Sequence, residues 1–275
     1  MDGLDFLKMH GLGNDFVIVD GRRHAHDLEP EAIRRIADRH LGVGCDQFIR
    51  IEPSRRADAF MRIWNPDASE AEACGNGTRC VASLLMDENG RDSAEIETLA
   101  GILVCRRNGA GVSVDMGPAR AGWRDIPLAR EADTLSLDLG DPAPGPATAV
   151  NMGNPHMVFF VEDAETVDIA RIGPVLERHP MFPERANVSF AQVIGDNRLR
   201  LRVWERSAGA TRACGSAACA TGVAACRRGL AGRDTEVVLD GGPLLISWRE
   251  TDGHVSMTGP VALSFEGRLA AEMVG

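Results

Sequence analysis

The feature that most constrains the fold of this 275-residue chain is an internal duplication. A shift of 140 positions lays residues 61–64 (MRIW) on 201–204 (LRVW) and, without a gap, 73–75 (ACG) on 213–215 (ACG). Over 61–77 against 201–217, six of seventeen residues are identical. The same shift aligns Gly13-Asn14 with Gly153-Asn154. Since one offset holds over separated segments, the sequence predicts two similar domains.

We expect the domain boundaries to follow the duplication. The predicted N-terminal domain comprises residues 1–119 with the C-terminal tail 264–275, and the predicted C-terminal domain comprises 120–263. A loop rich in proline is expected at 141–146. Runs of β-branched and aromatic residues predict strands, for example 16–19, 60–64 and 112–116. Apolar periodicity predicts helices at 31–40, 77–86, 167–178 and 216–228, and the second and fourth follow directly on the two Ala-Cys-Gly segments.

Composition excludes several classes of function. A net charge of −10 disfavours binding to nucleic acid or to an acidic membrane surface. The first ten residues lack a secretory signal pattern, and no apolar run is long enough to span a membrane, so we expect a cytoplasmic protein. Seven cysteines without a dense pattern indicate reduced thiols rather than a disulfide framework.

The single lysine, Lys8, bears on the cofactor. Pyridoxal enzymes, which carry out much of the chemistry at amino-acid α-carbons, hold their cofactor through a lysine amine. We interpret Lys8 as a solvated residue on the first strand, and we therefore expect no pyridoxal cofactor.

The two Ala-Cys-Gly segments carry the most specific chemistry. A cysteine just before a helix lies where unpaired N–H groups favour negative charge, so we expect a lowered thiol pKa at Cys74 and Cys214. The backbone amides that follow, at 75–76 and 215–216, could bind a carboxylate. Inverting an α-carbon without a cofactor requires a base on one face and an acid on the other. The duplication supplies such a pair, and we expect it in a cleft between the domains.

Alternative roles for the cysteine and histidine side chains explain the sequence less well. Buried cysteine is usually an apolar filler, and that role is assigned to five cysteines: Cys45, Cys80, Cys105, Cys219 and Cys226. No Cys-x-x-Cys occurs, so a structural zinc is not expected. His24-x-His26 could bind a metal, but it lies beside two arginines and is interpreted as a solvated loop. A cysteine hydrolase with His156 as base would leave the second cysteine unexplained.

Several motifs, taken in order along the chain, resemble the diaminopimelate epimerase family. They are MHGLGNDF at 9–16, GCDQ at 44–47, SEAEACGNG at 69–77, GNPH at 153–156, ERANV at 184–188 and WER at 204–206. Gly-Asn-Pro-His is weak alone, whereas Ala-Cys-Gly-Asn-Gly followed by Trp-Glu-Arg and Ala-Cys-Gly-Ser is strong. The resemblance covers essentially the whole chain.

The resemblance implies an α/β (α+β) protein of two pseudo-symmetric domains, each a mixed, mostly antiparallel sheet wrapped around a central helix. It also implies epimerisation of LL-2,6-diaminopimelate to the meso form, with Cys74 and Cys214 as acid and base and with no cofactor and no metal. The partners implied are a small-molecule substrate and a second copy of the chain in a homodimer.

The remaining site residues are carried over from the same motifs. Four residues would bind the reacting carboxylate: Gly75, Asn76, Gly215 and Ser216. Asn65, Asn187 and Arg206 would bind the distal carboxylate, and Glu205 the distal ammonium. Further lining residues would be Asn14, Gln47, Asn154 and His156.

The 140-residue shift sets Glu205 against Asn65 and Arg206 against Pro66, so the halves differ where a substrate with one reacting end demands asymmetry. A bidentate arginine suits a planar carboxylate. Ser207 and Ala217 depart from the family pattern, which more often has glycine there. Two alternatives stay open from the sequence: a racemase of another amino acid, such as histidine, and a non-enzymatic amino-acid-binding protein.

Overall fold

The computed structural model describes residues 3–23, 28–109 and 111–274. The chain divides into two units: unit 1 is Met1–Val114 with Gly259–Gly275, and unit 2 is Asp115–Thr258. The His24-x-His26 segment lies outside the described residues.

Unit 1 is built from strands and helices, and its last strand and last helix come from the end of the chain. In chain order the first elements are β1 (Leu4–Gly11), β2 (Asn14–Asp20), α1 (Pro30–Ala37), β3 (Gln47–Glu52), β4 (Ala59–Trp64), β5 (Glu70–Ala71), α2 (Gly75–Asn89), β6 (Ser93–Thr98), β7 (Gly101–Asn108) and β8 (Gly111–Pro118). The pairings β2–β3 and β4–β6 are parallel. The pairings β1–β2, β3–β4, β4–β5, β6–β7 and β7–β8 are antiparallel.

Unit 2 repeats this order. Its elements are β9 (Ala147–Asn151), β10 (Pro155–Phe160), α3 (Ile169–Glu177), β11 (Asn187–Gly195), β12 (Arg198–Glu205), β13 (Gly209–Thr211), α4 (Gly215–Arg227), β14 (Asp234–Leu239), β15 (Gly242–Trp248) and β16 (His254–Gly259). The pairings β10–β11 and β12–β14 are parallel. The pairings β9–β10, β11–β12, β12–β13, β14–β15 and β15–β16 are antiparallel. The chain then returns to unit 1 as β17 (Ala262–Leu269), antiparallel to β1, and α5 (Ala271–Val274).

The duplication extends to the register of the sheets. Phe16 lies opposite Gln47 in unit 1, and His156 lies opposite Asn187 in unit 2. Both members of the second pair are 140 positions beyond the first. Each unit is therefore a mixed, mostly antiparallel sheet with the same connections, which confirms the predicted fold class.

A buried helix lies against the sheet in each unit. Most of α2 is buried, and it contacts β1, β6 and β7. Helix α4 is buried over nearly its whole length and contacts strands from β9 to β15. Its sequence, GSAACATGVAACR, is almost free of charge, as expected of a helix buried on every face. Gly90 ends α2 in the left-handed conformation, with φ of 62°.

The predicted helices are present with small changes at their ends. The largest difference is at α2, which was expected at 77–86 but extends from Gly75 to Asn89. Helix α1 was expected to reach His40 but ends at Ala37. There the carboxylate of Asp38 accepts the backbone N–H groups of His40 and Leu41, which turns the chain out of the helix. In the described part of the chain no helix combines the length and apolar character needed to cross a membrane.

Candidate active site

Cys74 stands at the start of the buried helix of unit 1. It is the N-cap of α2, with extended backbone angles, and its sulfur accepts the backbone N–H of Gly77 at 3.4 Å. The side-chain oxygen Oδ1 of Asn14 lies 3.8 Å from the same sulfur and accepts an N–H of Asn76 at 3.0 Å. The structure therefore brings together three predicted site residues, Cys74, Asn14 and Asn76. Gly75 is the first residue of the helix.

Cys214 holds the equivalent position in unit 2 but has different neighbours. It is the N-cap of α4, and its Sγ donates to Oε2 of Glu205 at 2.9 Å. The other oxygen of Glu205 accepts from the hydroxyl of Thr211, and Oγ of Ser216 lies 3.6 Å from the sulfur. Gly215 begins the helix. A carboxylate, a hydroxyl and a thiol thus meet at one helix start.

The expected lowering of the thiol pKa is wrong for Cys214. Complete burial raises its pKa well above the ordinary value, and the adjacent Glu205 carboxylate raises it further. Both effects disfavour thiolate, so the Cys214 thiol is protonated at neutral pH. The helix start alone favours thiolate, but here a neighbouring negative charge outweighs it.

The predicted solvated position of Lys8 is also wrong. Lys8 is buried, and its ammonium contacts Oδ2 of Asp15 at 2.5 Å and the backbone carbonyl of Gly44. Burial alone would raise the pKa of Asp15, but its bonds to Arg39 and Lys8 hold it well below the ordinary value. Lys8 is thus part of an ion-pair cluster, and its amine is held by the protein itself.

This cluster supports Asn14. Asp46, which pairs with Arg39 at 2.8 Å, accepts the side-chain N–H of Asn14 at 3.0 Å. A carboxylate can only accept, so the amide nitrogen of Asn14 faces Asp46 and its oxygen faces Cys74. The sequence contained Asp46 within the GCDQ motif but did not mark it as a site residue.

His156 is completely buried and is held by Asn154. Its Nε2 lies 2.7 Å from Oδ1 of Asn154. Burial, with a smaller contribution from the Arg206 guanidinium, lowers the pKa of His156 to about 3. The imidazole is therefore neutral at physiological pH, and a role as the base of a cysteine hydrolase has no support in its contacts.

The residues expected at a distal carboxylate are held by their neighbours in each unit. In unit 1, Oδ1 of Asn65 accepts from Gln47 at 3.1 Å. In unit 2, the buried Asn187 accepts the backbone N–H of Arg206 at 2.9 Å. The Arg206 side chain donates to the carbonyl of Glu184 at 3.1 Å and is partly exposed.

The five other cysteines are those expected to serve as apolar filler. Four cysteines are buried, and burial raises the pKa of Cys45 to about 11 and those of Cys80 and Cys105 to about 12. Cys226 is half-buried. Within residues 3–23, 28–109 and 111–274, no cluster of three or more His, Cys, Asp or Glu side chains could hold a metal ion.

The solved structures similar to this chain share its fold. A phenazine biosynthesis protein of the PhzF family from Bacillus anthracis matches with a TM-score of 0.69 at 16% identity, over 98% of this chain and 99% of that one. A probable proline racemase from Agrobacterium radiobacter matches with a TM-score of 0.65 at 18% identity, over 98% and 93%. Identities this low carry the likeness of fold alone.

Sequence comparison is more specific. The diaminopimelate epimerase of Rhodospirillum centenum is 58% identical over 272 residues, which is 98% of this chain and 93% of the relative. That of Acidiphilium cryptum is 58% identical over 271 residues, 98% of this chain and 97% of the relative. The family profile described as diaminopimelate epimerase matches residues 6–121 and 148–264. The chain belongs to the diaminopimelate epimerase family of isomerases.

Proposed function

We propose that this protein epimerises LL-2,6-diaminopimelate to the meso form by proton transfer through two thiols, Cys74 and Cys214, without a cofactor. The observation that carries the proposal is that each repeat places one cysteine at the N-cap of its buried helix, in the same register. Relatives that are 58% identical over nearly the whole chain carry that activity in their names.

The two thiols have opposite surroundings, which supports different roles. Cys214 is protonated because of burial and Glu205, so it is suited to donate a proton. The Cys74 sulfur accepts a backbone N–H in the first turn of α2, an arrangement that stabilises negative charge on sulfur. We therefore assign Cys74 as the base and Cys214 as the acid in the resting enzyme. The roles exchange when the reaction runs backwards.

The helix starts also support a binding site for the reacting carboxylate. The first N–H groups of a helix have no intrahelical acceptor, and they favour an anion. In the proposed complex, the backbone N–H groups that bind the reacting carboxylate are those of Gly75-Asn76 and Gly215-Ser216. They would stabilise the charge that develops when the adjacent carbon loses its proton.

Recognition of the distal end is assigned to Arg206 with Asn65 and Asn187, and Glu205 would meet the distal ammonium. The guanidinium of Arg206 is partly exposed, and its N–H groups are arranged to bind a planar carboxylate through two hydrogen bonds. Gln47 donates to Asn65 in this group. The other lining residues of the proposal are Asn14, which accepts from Asn76, and the hydrogen-bonded pair Asn154 and His156.

Hydrogen exchange tests the reaction and the roles together. In deuterated water, the wild-type protein should convert LL-diaminopimelate to the meso isomer, and the product should carry deuterium at one α-carbon. Monoamino acids such as histidine should show far slower exchange. Cys74→Ala and Cys214→Ala should each lose at least about a thousandfold in epimerisation. Full turnover by either variant would overturn the two-thiol mechanism, and fast exchange of a monoamino acid would overturn the substrate.

The cellular setting follows the same proposal. Seven free thiols support a reducing compartment, the cytoplasm.

Leu263 and Phe265 are half-exposed apolar side chains on β17, which pairs with β1, and we propose this strand as a homodimer contact. Sedimentation velocity tests it: Phe265→Asp should sediment as a monomer, and an unchanged coefficient would refute the contact.

A further inference from the structure

Glu177 is a buried carboxylate at the end of α3 that the proposed mechanism does not use. Only 4% of the residue is exposed. Its Oε2 accepts the indole N–H of Trp204 at 2.9 Å, and its Oε1 accepts the backbone N–H of Ser207 at 3.2 Å. A guanidinium nitrogen of Arg185 lies 3.7 Å from Oε1. The carboxylate therefore holds the chain on both sides of Glu205-Arg206.

The turn that follows β12 is bound by this anchor at its strained residue. The N–H of Ala208 donates to the carbonyl of Glu205 at 3.2 Å, closing a tight turn around Arg206 and Ser207. Ser207 has a φ of 66°, in the left-handed region that glycine adopts without steric cost. This explains why glycine is expected there. With serine in place, the bond from its N–H to Glu177 compensates for an unfavourable backbone conformation.

The side chains on this turn belong to the proposed site. Glu205 contacts the Cys214 sulfur at 2.9 Å, and Arg206 is the proposed ligand of the distal carboxylate. A second anchor, Asn187, accepts the N–H of Arg206 at 2.9 Å. Any shift of the turn would move both the carboxylate beside the thiol and the guanidinium.

The repeat shows that Glu177 is not a requirement of the fold. The 140-residue shift sets Glu177 against Ala37, the last residue of α1, and Trp204 against Trp64. Unit 1 thus builds the same helix, strand and tryptophan with a methyl group in place of the carboxylate. The equivalent turn of unit 1 also has a left-handed residue, but it is Ala68, with φ of 66°, one position further along than the counterpart of Ser207. In unit 2 the left-handed residue is the one whose N–H the carboxylate accepts.

We propose that Glu177 is a positioning residue that fixes the 205–208 turn and thereby places Glu205 against Cys214 and Arg206 toward the substrate. This inference rests on the proposed function for the part played by Arg206. Glu177 acts through the turn, since its carboxylate is buried and contacts neither the thiol nor the substrate-binding side chains.

Two substitutions test the role. Glu177→Gln is nearly isosteric but offers one acceptor oxygen to two N–H donors, so either Trp204 or Ser207 loses its partner. Glu177→Ala removes both bonds. We expect KM for LL-diaminopimelate to rise by about tenfold in Glu177→Gln and by more in Glu177→Ala, the size expected for a displaced charge-assisted bond. A uniform loss of folded protein would lower the apparent kcat and leave KM unchanged.

A second measurement does not depend on turnover. The groups facing the Cys214 sulfur are the Glu205 carboxylate, the Ser216 hydroxyl and the backbone amide of Ala217. Iodoacetamide labelling of Cys214 against pH, followed by peptide mass spectrometry, reports how close the carboxylate remains. In both Glu177 variants the labelling midpoint should move to lower pH, because Glu205 is less well held.

Matched variants separate positioning from packing. Trp204→Phe removes one of the two bonds to the carboxylate and leaves the Ser207 contact, so KM and the labelling midpoint should change much less than in Glu177→Ala. Adding Ser207→Gly to Glu177→Gln should restore both, because glycine adopts the turn unaided.

The proposal is overturned if folded Glu177→Gln keeps the wild-type KM and labelling midpoint. It is also overturned if Trp204→Phe changes both as much as Glu177→Ala does, or if Ser207→Gly restores neither. If the wild-type protein does not epimerise diaminopimelate, the proposed function fails, while the labelling profiles still decide the role of Glu177.

Discussion

At the scale of single residues, the chemistry is decided by what contacts each sulfur. Cys74 and Cys214 share a helix start, a following glycine and an extended backbone. The effect of a helix terminus on a charge is worth about 0.3–1 kcal/mol. Two like charges 4 Å apart repel by roughly 4 kcal/mol near a protein surface. Burial and the Glu205 carboxylate together therefore outweigh the helix start at Cys214, and the sequence-based expectation of a lowered pKa fails there.

Replacing Glu205 with glutamine should reverse the shift at Cys214. The neutral amide removes the repulsion that disfavours thiolate, so the pKa of Cys214 should fall toward its ordinary value while burial still holds it above. The pH midpoint of Cys214 alkylation, read by peptide mass spectrometry, should move to lower pH. Glu165→Gln is the control, since that carboxylate is exposed and pairs with Arg200. An unmoved midpoint would mean that burial alone sets the pKa.

At the scale of elements, the two buried helices fit their sheets in different ways. A Cβ added to Gly77 of α2 would lie 2.8 Å from Cδ1 of Ile49. The equivalent residues in unit 2 are Ala217 and Ser189. Serine is smaller than isoleucine, which explains how α4 accepts alanine where the family more often has glycine. The helix start and its facing strand have changed together.

Gly77→Ala should destabilise unit 1 through this contact. Overpacking of a buried site costs about 1–3 kcal/mol. Ile49→Val removes the Cδ1 atom that would clash and by itself costs about 0.5–1.5 kcal/mol. The double variant should be more stable than the sum of the two changes implies, by about 0.5 kcal/mol or more. Urea unfolding of the four proteins measures this coupling. Strict additivity would show that the helix moves away from Ile49 instead.

The helices and main strands could be predicted because the repeat register and apolar pattern mark them. The contacts of the site could not be predicted in the same way. Thr211, whose hydroxyl holds Glu205, lies on β13, a strand of only three residues with no pattern of its own. Glu177 is one carboxylate among 40 acidic residues, and nothing local marks it as buried. The prediction of a solvated Lys8 was wrong because its partner, Asp15, lies on the next strand, and the sequence pattern does not show that pairing.

At the scale of the whole molecule, one ancestral unit is used twice, and the two copies differ in side chains near the cysteines. Asn65 and Ala71 in unit 1 correspond to Glu205 and Thr211 in unit 2. The strands that carry them pair alike: Ile63 lies opposite Ala71, and Val203 lies opposite Thr211. The backbone thus offers both units the same positions for a carboxylate and its hydroxyl partner. Only unit 2 has them, and in the proposed mechanism this difference makes Cys214 the acid and Cys74 the base.

Making the two units alike should therefore remove the base. In the double variant Asn65→Glu, Ala71→Thr, a carboxylate is expected beside Cys74 as Glu205 lies beside Cys214, which raises the pKa of that thiol. Because thiolate then forms only at higher pH, the alkylation midpoint of Cys74 should move upward, and epimerisation at neutral pH should fall at least about tenfold. Activity should recover in part as pH rises. Asn65→Gln with Ala71→Thr is the control: it adds similar bulk without charge and should lose binding but keep the wild-type midpoint. If the alkylation midpoint of Cys74 moves upward as far in the control as in the charged variant, packing is the cause. If it moves in neither variant, the sulfur is shielded from the side chain at position 65.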